Sequence, residues 1–278
     1  MFTLNCNGRM LVWEKPLIMG IINSTPDSFF EGSRFSGTDA ILAQAEKMLE
    51  EGADIIDIGG QSTRPGSTLL TATEELRRVI ESVEAIHKRF PEAFISVDTF
   101  YALVAKETVG AGAAMINDIS AGSMDETMIS MVASLNVPYV LMHMKGKPDT
   151  MQQSAHYENV TTEVLDFFIH RIPLIRKAGI KDIIVDPGFG FGKTIAHNFE
   201  LLRNLSAFRI LECPILLGLS RKSTIYKTLG VDASQALNGT TVLNTVGIEN
   251  GANILRVHDV KEAREIVELL RALNGFSY

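Results

Sequence analysis

The chain has 278 residues, 46% of them hydrophobic and 21% charged, enough for one large α/β domain or two small ones. A formal net charge of −7 argues against a nucleic-acid partner, because a protein that neutralises many phosphates carries a basic excess. Any phosphate it holds belongs in a local pocket. The two cysteines, Cys6 and Cys213, stand far apart without Cys-x-x-Cys or Cys/His spacing, which disfavours a disulfide framework and a structural zinc site. The N-terminus lacks a basic region leading into an apolar one, and no apolar run approaches the roughly 20 residues that span a bilayer. These features predict a soluble, cytoplasmic protein with no membrane partner.

In chain order, residues 1–15 alternate apolar and polar around Asn7-Gly8, a two-residue hairpin signal. Eight short apolar runs follow: Leu17 to Ile22, Asp54 to Ile58, Phe94 to Val97, Ala114 to Ile116, Pro138 to Met142, Asp182 to Val185, Pro214 to Leu219 and Asn253 to Val257. Between them lie segments such as Ala40 to Glu51, Glu74 to Arg89 and Glu163 to Lys177, whose apolar residues recur at three and four. Gly52, Gly112 and Gly179 sit where helices should stop. Eight βα units in a chain near the typical ~250 residues predict one closed (β/α)8 TIM barrel over 1–278, its bottom capped by the N-terminal hairpin. A doubly wound open sheet is the alternative. No linker-like stretch divides the chain.

In such a barrel, chemistry sits at the C-terminal ends of the strands. The residues there are Asn23, Asp57 leading into Gln61 to Arg64, Asp98, Asn117 with Asp118, His143, Asp186, Ser220 to Lys222, and Arg256 with His258. Any one of them has a bland explanation as a cap or turn former. Polar groups after all eight runs point instead to a ring around one pocket. Asp98, Asn117 and Asp186 offer acceptors and an amide, suited to a flat heterocycle with adjacent N–H donors and carbonyls. Arg64, Arg221, Lys222, Arg256 and His258 supply cations, which in an acidic chain suit an anionic group such as phosphate or carboxylate.

Several nucleotide and hydrolase patterns fail on the letters. Gly192-Lys193-Thr194 resembles the end of a P-loop, but Pro187 stands where the first glycine is required. The dinucleotide fingerprint begun at Gly188 meets Lys193 at its third glycine. Gly218-Leu219-Ser220-Arg221 has arginine where a nucleophile elbow needs glycine, and no His-Glu-x-x-His occurs.

The segments Met19 to Phe29, Gly59 to Gly66, Ser96 to Thr99, Ile116 to Asp118, Met142 to Gly146, Asp186 to Lys193, Ser220 to Ser223 and Arg256 to Asp259 together resemble the dihydropteroate synthase family, in order and at family-like spacing. The resemblance implies a transferase that joins 6-hydroxymethyl-7,8-dihydropterin pyrophosphate to p-aminobenzoate with Mg²⁺, a homodimer, and a target of sulfonamide inhibitors. Carried over by motif, Asp98, Asn117, Asp186 and Lys222 would hold the pterin. Asn23 would bind Mg²⁺ and pyrophosphate, while Thr63, Arg64, Arg256 and His258 would hold the pyrophosphate. Phe29, Pro65, Phe191 and Ser223 would shape the p-aminobenzoate site. Asp98, Asn23, Lys222, Arg256 and His258 would carry the catalysis. Gln61, Ser24 and Tyr101 depart from the commonest family pattern. Two rivals share the pterin carboxylates. A methyltetrahydrofolate–corrinoid methyltransferase has no need of Ser-Thr-Arg-Pro-Gly or Ser-Arg-Lys-Ser. A non-catalytic paralogue would lack some of Asn23, Arg64, Lys222 and His258, yet all four are present.

Overall fold

The computed structural model describes residues 2–24, 37–61, 69–146, 151 and 155–275. Strands β1 (Phe2–Cys6) and β2 (Arg9–Trp13) form an antiparallel hairpin with Cys6 opposite Arg9. Asn7 and Gly8 take φ of 53° and 83°, the left-handed pair that a two-residue turn demands. Eight parallel strands follow: β3 (Leu17–Asn23), β4 (Ile55–Gly59), β5 (Phe94–Asp98), β6 (Met115–Asp118), β7 (Tyr139–Met142), β8 (Ile183–Asp186), β9 (Leu216–Leu217) and β10 (Ile254–Val257). Their hydrogen-bonded order is β8-β7-β6-β5-β4-β3-β10-β9. A bridge between Val185 and Ile215 brings the two ends together, and the Val185 N–H donates to Pro214 O at 2.9 Å. The architecture is therefore the (β/α)8 barrel, not an open sheet.

Helices α1 (Gly37–Glu50), α2 (Ala72–Arg89), α3 (Ala102–Gly110), α4 (Met128–Leu135), α5 (Val160–Ala178), α6 (Ile195–Arg203), α7 (Ser223–Leu229), α8 (Leu237–Glu249) and α9 (Val260–Leu273) surround the strands. All eight strand bounds agree with the apolar runs to within two residues. The most shortened is β9, expected over Pro214 to Leu219 but laddered only at Leu216 and Leu217, because it stands at the seam and has one bridge on its β8 side. Among the described residues no helix is long and apolar enough to cross a membrane.

The strands alternate their side chains between the barrel interior and the helix layer. Interior residues Met19, Ile55, Met115, Val140, Ile184, Leu216 and Ile254 form one apolar cluster with Leu4, Leu11 and Trp13 of the hairpin. The hairpin thus plugs the N-terminal end of the barrel. Residues pointing the other way, such as Ile56, Ile58, Val97, Ile116 and Val185, join the larger core beneath the helices.

Helix α2 starts cleanly. Thr71 caps it with a reciprocal box in which its hydroxyl oxygen accepts from Glu74 N–H while the Glu74 carboxylate accepts from Thr71 N–H. One turn in, Glu75 is fully buried, and among the described residues neither carboxyl oxygen sits at good hydrogen-bond geometry, the nearby Thr99 hydroxyl only tempering its burial. Burial pushes its carboxyl up to about 7, with the nearby Asp98 charge adding to the effect. Because the folded value lies above the ordinary 4.5, the protonated form favours folding, fully below about pH 4.5 and less as pH rises to about 7. Glu75→Gln should flatten the stability profile across that window and make the protein more stable than wild type above pH 7, by no more than about 3 kcal/mol. Urea midpoints measured from pH 5 to 8 check this, and parallel curves for the two proteins would contradict it.

Candidate active site

Two residues above the apolar interior layer, the same strands turn polar. Asp57 stands above Ile55, Asn117 above Met115, Asp186 above Ile184 and Arg256 above Ile254, so four strands deliver their side chains to the barrel mouth at similar height. Asp98 and Asn117 are neighbours in register across β5 and β6. Asn23, at the end of β3, is exposed at the same rim.

The centre of this mouth is an arginine between two carboxylates. Arg256 Nε donates to Asp57 Oδ2 at 2.6 Å and Nη2 donates to Asp98 Oδ2 at 2.6 Å. Asn117 Nδ2 donates to the same Asp57 oxygen at 3.2 Å. Asp57 is fully buried. It was read from sequence only as the residue leading into a loop, yet it orients two of the predicted ligands. Burial raises the Asp98 carboxyl, opposed by Arg256 and reinforced by Asp57 and Asp118. For Arg256, burial is outweighed by the carboxylates around it and its affinity for the proton rises.

Across the mouth, Asp186 Oδ1 accepts from Gly188 N–H at 2.7 Å. Its carboxyl is raised by burial and pulled back by Lys222. Lys222 Nζ donates to Phe189 O at 2.6 Å and lies 4.7 Å from the Phe191 ring centre. Burial pushes its ammonium down to about 8, with Asp186 opposing. A Cβ on Gly218 would lie 3.8 Å from Lys222 Nζ and 3.9 Å from Asp186 Oδ2, so both groups border the space left by the missing side chain. Ser223 opens α7 directly after Lys222. His258 is exposed at the rim, its backbone N–H donating to Ser220 Oγ at 3.2 Å. The crowded mouth and the Arg256 cation lower its imidazole, which favours the neutral ring.

The structure therefore brings together Asn23, Asp98, Asn117, Asp186, Phe191, Lys222, Ser223, Arg256 and His258 at one end of the barrel. Phe29, Thr63, Arg64 and Pro65 lie outside the described residues. Three strand-end residues serve the scaffold instead. Arg221 forms a fork with Asp259 at 2.8 and 2.9 Å and donates to Ala233 O and Ser234 O, tying two loops together rather than serving an anion. Asp118 points outward, as period-two alternation requires beside the inward Asn117, and accepts from Tyr139 OH, Ser120 N–H and Gly122 N–H. His143 is buried against Lys193.

The three departures from the family pattern also find partners. Ser24 Oγ donates to Arg78 O at 2.6 Å. Gln61 Oε1 accepts from Leu70 N–H at 3.1 Å, while Tyr101 OH donates to Leu70 O at 2.7 Å. Gln61 and Tyr101 thus grip Leu70 from both sides, and the Tyr101 bond spans 31 positions, which sequence inspection cannot see.

A barrel whose mouth combines acceptors for a heterocycle with cations for an anionic arm defines an enzyme pocket for a small polar substrate. The family model described as "Pterin binding enzyme" matches residues 19–258. Dihydropteroate synthase of Haemophilus influenzae is 44% identical, covering 97% of this chain and 98% of that protein. The structure of Xanthomonas albilineans dihydropteroate synthase with 4-aminobenzoic acid superposes with a TM-score of 0.92 at 40% identity, covering 99% of each chain. The Yersinia pestis enzyme in complex with a sulfonamide drug gives a TM-score of 0.92 at 41% identity, covering 98% of this chain and 99% of that one. The chain belongs to the dihydropteroate synthase family of pterin-binding enzymes and is a transferase.

Replacing Asp57 with Asn should leave Arg256 with one counter-charge in place of two. Breaking a buried ion pair on one side costs about 3–5 kcal/mol. Asp57→Asn should lower the urea midpoint and weaken binding of a pterin to the folded protein at least about tenfold, a loss of roughly 1.4 kcal/mol. Wild-type stability together with wild-type pterin affinity would show that Asp57 does not orient the site.

Proposed function

We propose that this chain condenses 6-hydroxymethyl-7,8-dihydropterin pyrophosphate with p-aminobenzoate, giving 7,8-dihydropteroate and pyrophosphate. The observation that carries the reading is the Asp57–Arg256–Asp98 bridge facing Asp186 and Lys222 across one mouth. The relatives with bound 4-aminobenzoic acid and sulfonamide support the same reading, and sulfonamide inhibitors are expected to compete at this site.

In this proposal Asp98, Asn117, Asp186 and Lys222 hold the pterin. Its N3–H and 2-amino groups are adjacent donors that the Asp186 carboxylate accepts side by side, which offsets the burial that otherwise favours the neutral acid. Asn23, Thr63, Arg64, Arg256 and His258 take the pyrophosphate. Among the described residues Arg256 Nη1 has no protein partner, since Nε and Nη2 are committed to Asp57 and Asp98, so Nη1 is available for a phosphate oxygen. Phe29, Pro65, Phe191 and Ser223 shape the p-aminobenzoate site.

When the C–O bond to pyrophosphate breaks, positive charge develops on the pterin methylene, which the Asp98 carboxylate would stabilise. Arg256 stabilises the departing negative charge, and the neutral His258 ring can add an N–H donor. The aniline nitrogen then forms the C–N bond and releases its proton to solvent. An arylamine is already nucleophilic at neutral pH, so this step needs no nucleophile–base pair.

Asn23 would hold Mg²⁺. Diphosphate oxygens and water would complete the shell of this hard cation, which keeps several of its waters. When bound, Mg²⁺ would neutralise charge on the leaving pyrophosphate. We further propose a cytoplasmic homodimer acting as a single domain. The two free, buried cysteines fit a reducing compartment, and exposed Leu229, Val242 and Val246 on α7 and α8 offer apolar side chains that a second copy would cover.

Incubating the protein with both substrates, with and without Mg²⁺, should yield dihydropteroate and pyrophosphate only in the complete mixture. Neither product, from protein that binds the pterin, would overturn the reading. Within it, Asp98→Asn removes a charge while nearly keeping the shape. Charge-assisted hydrogen bonds are worth about 1.5–3 kcal/mol, so kcat/KM should fall by roughly one to two orders of magnitude. Steady-state kinetics that leave kcat/KM unchanged would remove Asp98 from the mechanism.

A further inference from the structure

Lys193 is the most deeply buried lysine at the barrel mouth, only 3% exposed, and none of the roles assigned above uses it. Its ammonium lies 2.9 Å from His143 Nδ1, donates to Gly188 O at 2.9 Å and to Phe191 O at 3.1 Å, and approaches His143 O at 3.4 Å. Those groups belong to two different strand ends. His143 follows β7, while Gly188 and Phe191 belong to the loop leaving β8.

The loop is pressed onto β7 as closely as its glycines permit. A Cβ on Gly188, at φ +73°, would come within 1.8 Å of His143 O, and one on Gly192, at φ +61°, within 2.4 Å of Lys145 O. Side chains at these positions would force the loop away. Lys193 and Lys222 then divide the loop carbonyls between them, Lys193 taking Gly188 and Phe191 while Lys222 takes Phe189. The consequence reaches the pocket through Gly188, whose N–H holds Asp186 Oδ1 at 2.7 Å while its carbonyl accepts from Lys193.

We propose that Lys193 is a positioning residue for the pterin carboxylate. By bolting the loop after β8 to His143 at the end of β7, it sets the placement of Asp186 and of the Phe191 ring. This rests on the reading of the mouth as a pterin site. It also assigns His143 a role. An ammonium has only donors, so His143 Nδ1 accepts, the ring proton sits on Nε2, and the imidazole stays neutral. Burial and the adjacent Lys193 charge push His143 down to about 2, which keeps the ring neutral. Burial pushes the Lys193 ammonium down to about 7, with Asp186 from β8 opposing and Lys222 from the start of α7 and Lys145 from the loop after β7 adding to the effect, so the donor-only contact to His143 belongs to the protein below pH 7.

The test combines nitrogen NMR of the histidine rings with binding and kinetics on the full chain. In wild type, His143 should be a neutral Nε2–H tautomer at pH 5 to 6, where Lys193 is charged. Lys193→Met keeps most of the stem but removes the donors. It should shift the His143 Nδ1 resonance, weaken pterin binding about tenfold, and raise KM for the pterin substrate more than it lowers kcat. His143→Phe removes the acceptor and should weaken pterin binding in the same direction. The double variant should bind no worse than Lys193→Met alone, because both changes break one contact. An Nδ1–H tautomer in wild type would overturn the proposal even if Lys193→Met does not fold. Unchanged pterin affinity in folded Lys193→Met would also overturn it. Wild-type protein that fails to bind the pterin would instead count against the proposed function.

Discussion

A single guanidinium held between two buried carboxylates organises the working end of this barrel. Arg256 on β10 reaches Asp57 on β4 and Asp98 on β5, drawing three strands into one charged cluster across the barrel interior. Removing such groups from water costs several kcal/mol per ion, and the arrangement persists because each charge faces an opposite one at hydrogen-bonding distance. Two carboxylates against one guanidinium leave the cluster short of positive charge. In the proposed reaction a cationic centre beside Asp98 would enter a favourable field, while Arg256 Nη1, uncommitted among the described residues, would present a donor to an anion.

The barrel supports this cluster by changing character along its length. The lower interior is a dry layer of Met, Ile, Leu and Val closed by the hairpin side chains Leu4, Leu11 and Trp13. One side-chain step higher, the interior becomes acid, amide and arginine. Close packing below keeps the strands in register, and fixed register holds the polar groups at matched heights. The glycines complete the arrangement. Gly218 leaves room between Lys222 and Asp186, and Gly188 lets the Asp186 loop lie against His143.

Much of this was legible in the sequence. Period-two and period-three-to-four patterns located the hairpin, the eight strands and the main helices, because apolar burial writes its repeat directly into the chain. The strand-end residues followed from the barrel assignment. Nine of the thirteen predicted site residues lie among the described residues, at the mouth, and only Phe29, Thr63, Arg64 and Pro65 fall outside them. One misreading was avoidable. Asp118 follows the inward Asn117, so strand alternation alone would have turned it away from the pocket.

The remaining roles depend on partners that lie far apart in sequence. Arg256 meets Asp57 across 199 positions and Asp98 across 158, so nothing local marks Asp57 as the residue that orients the cluster. Arg221 looked like an anion ligand until Asp259 was found beside it, and Lys193 looked like a failed P-loop residue until His143 was found 2.9 Å away. By itself the sequence determined the barrel, its polar mouth and the chemical types of its ligands, because these follow from residue identity and short-range periodicity. Only the tertiary structure decided which charges neutralise one another, which carboxyls are driven toward the neutral form and which lysine borders the space beside Asp186 rather than being enclosed by a loop, because those properties depend on distance and desolvation, which exist only once the strands have closed.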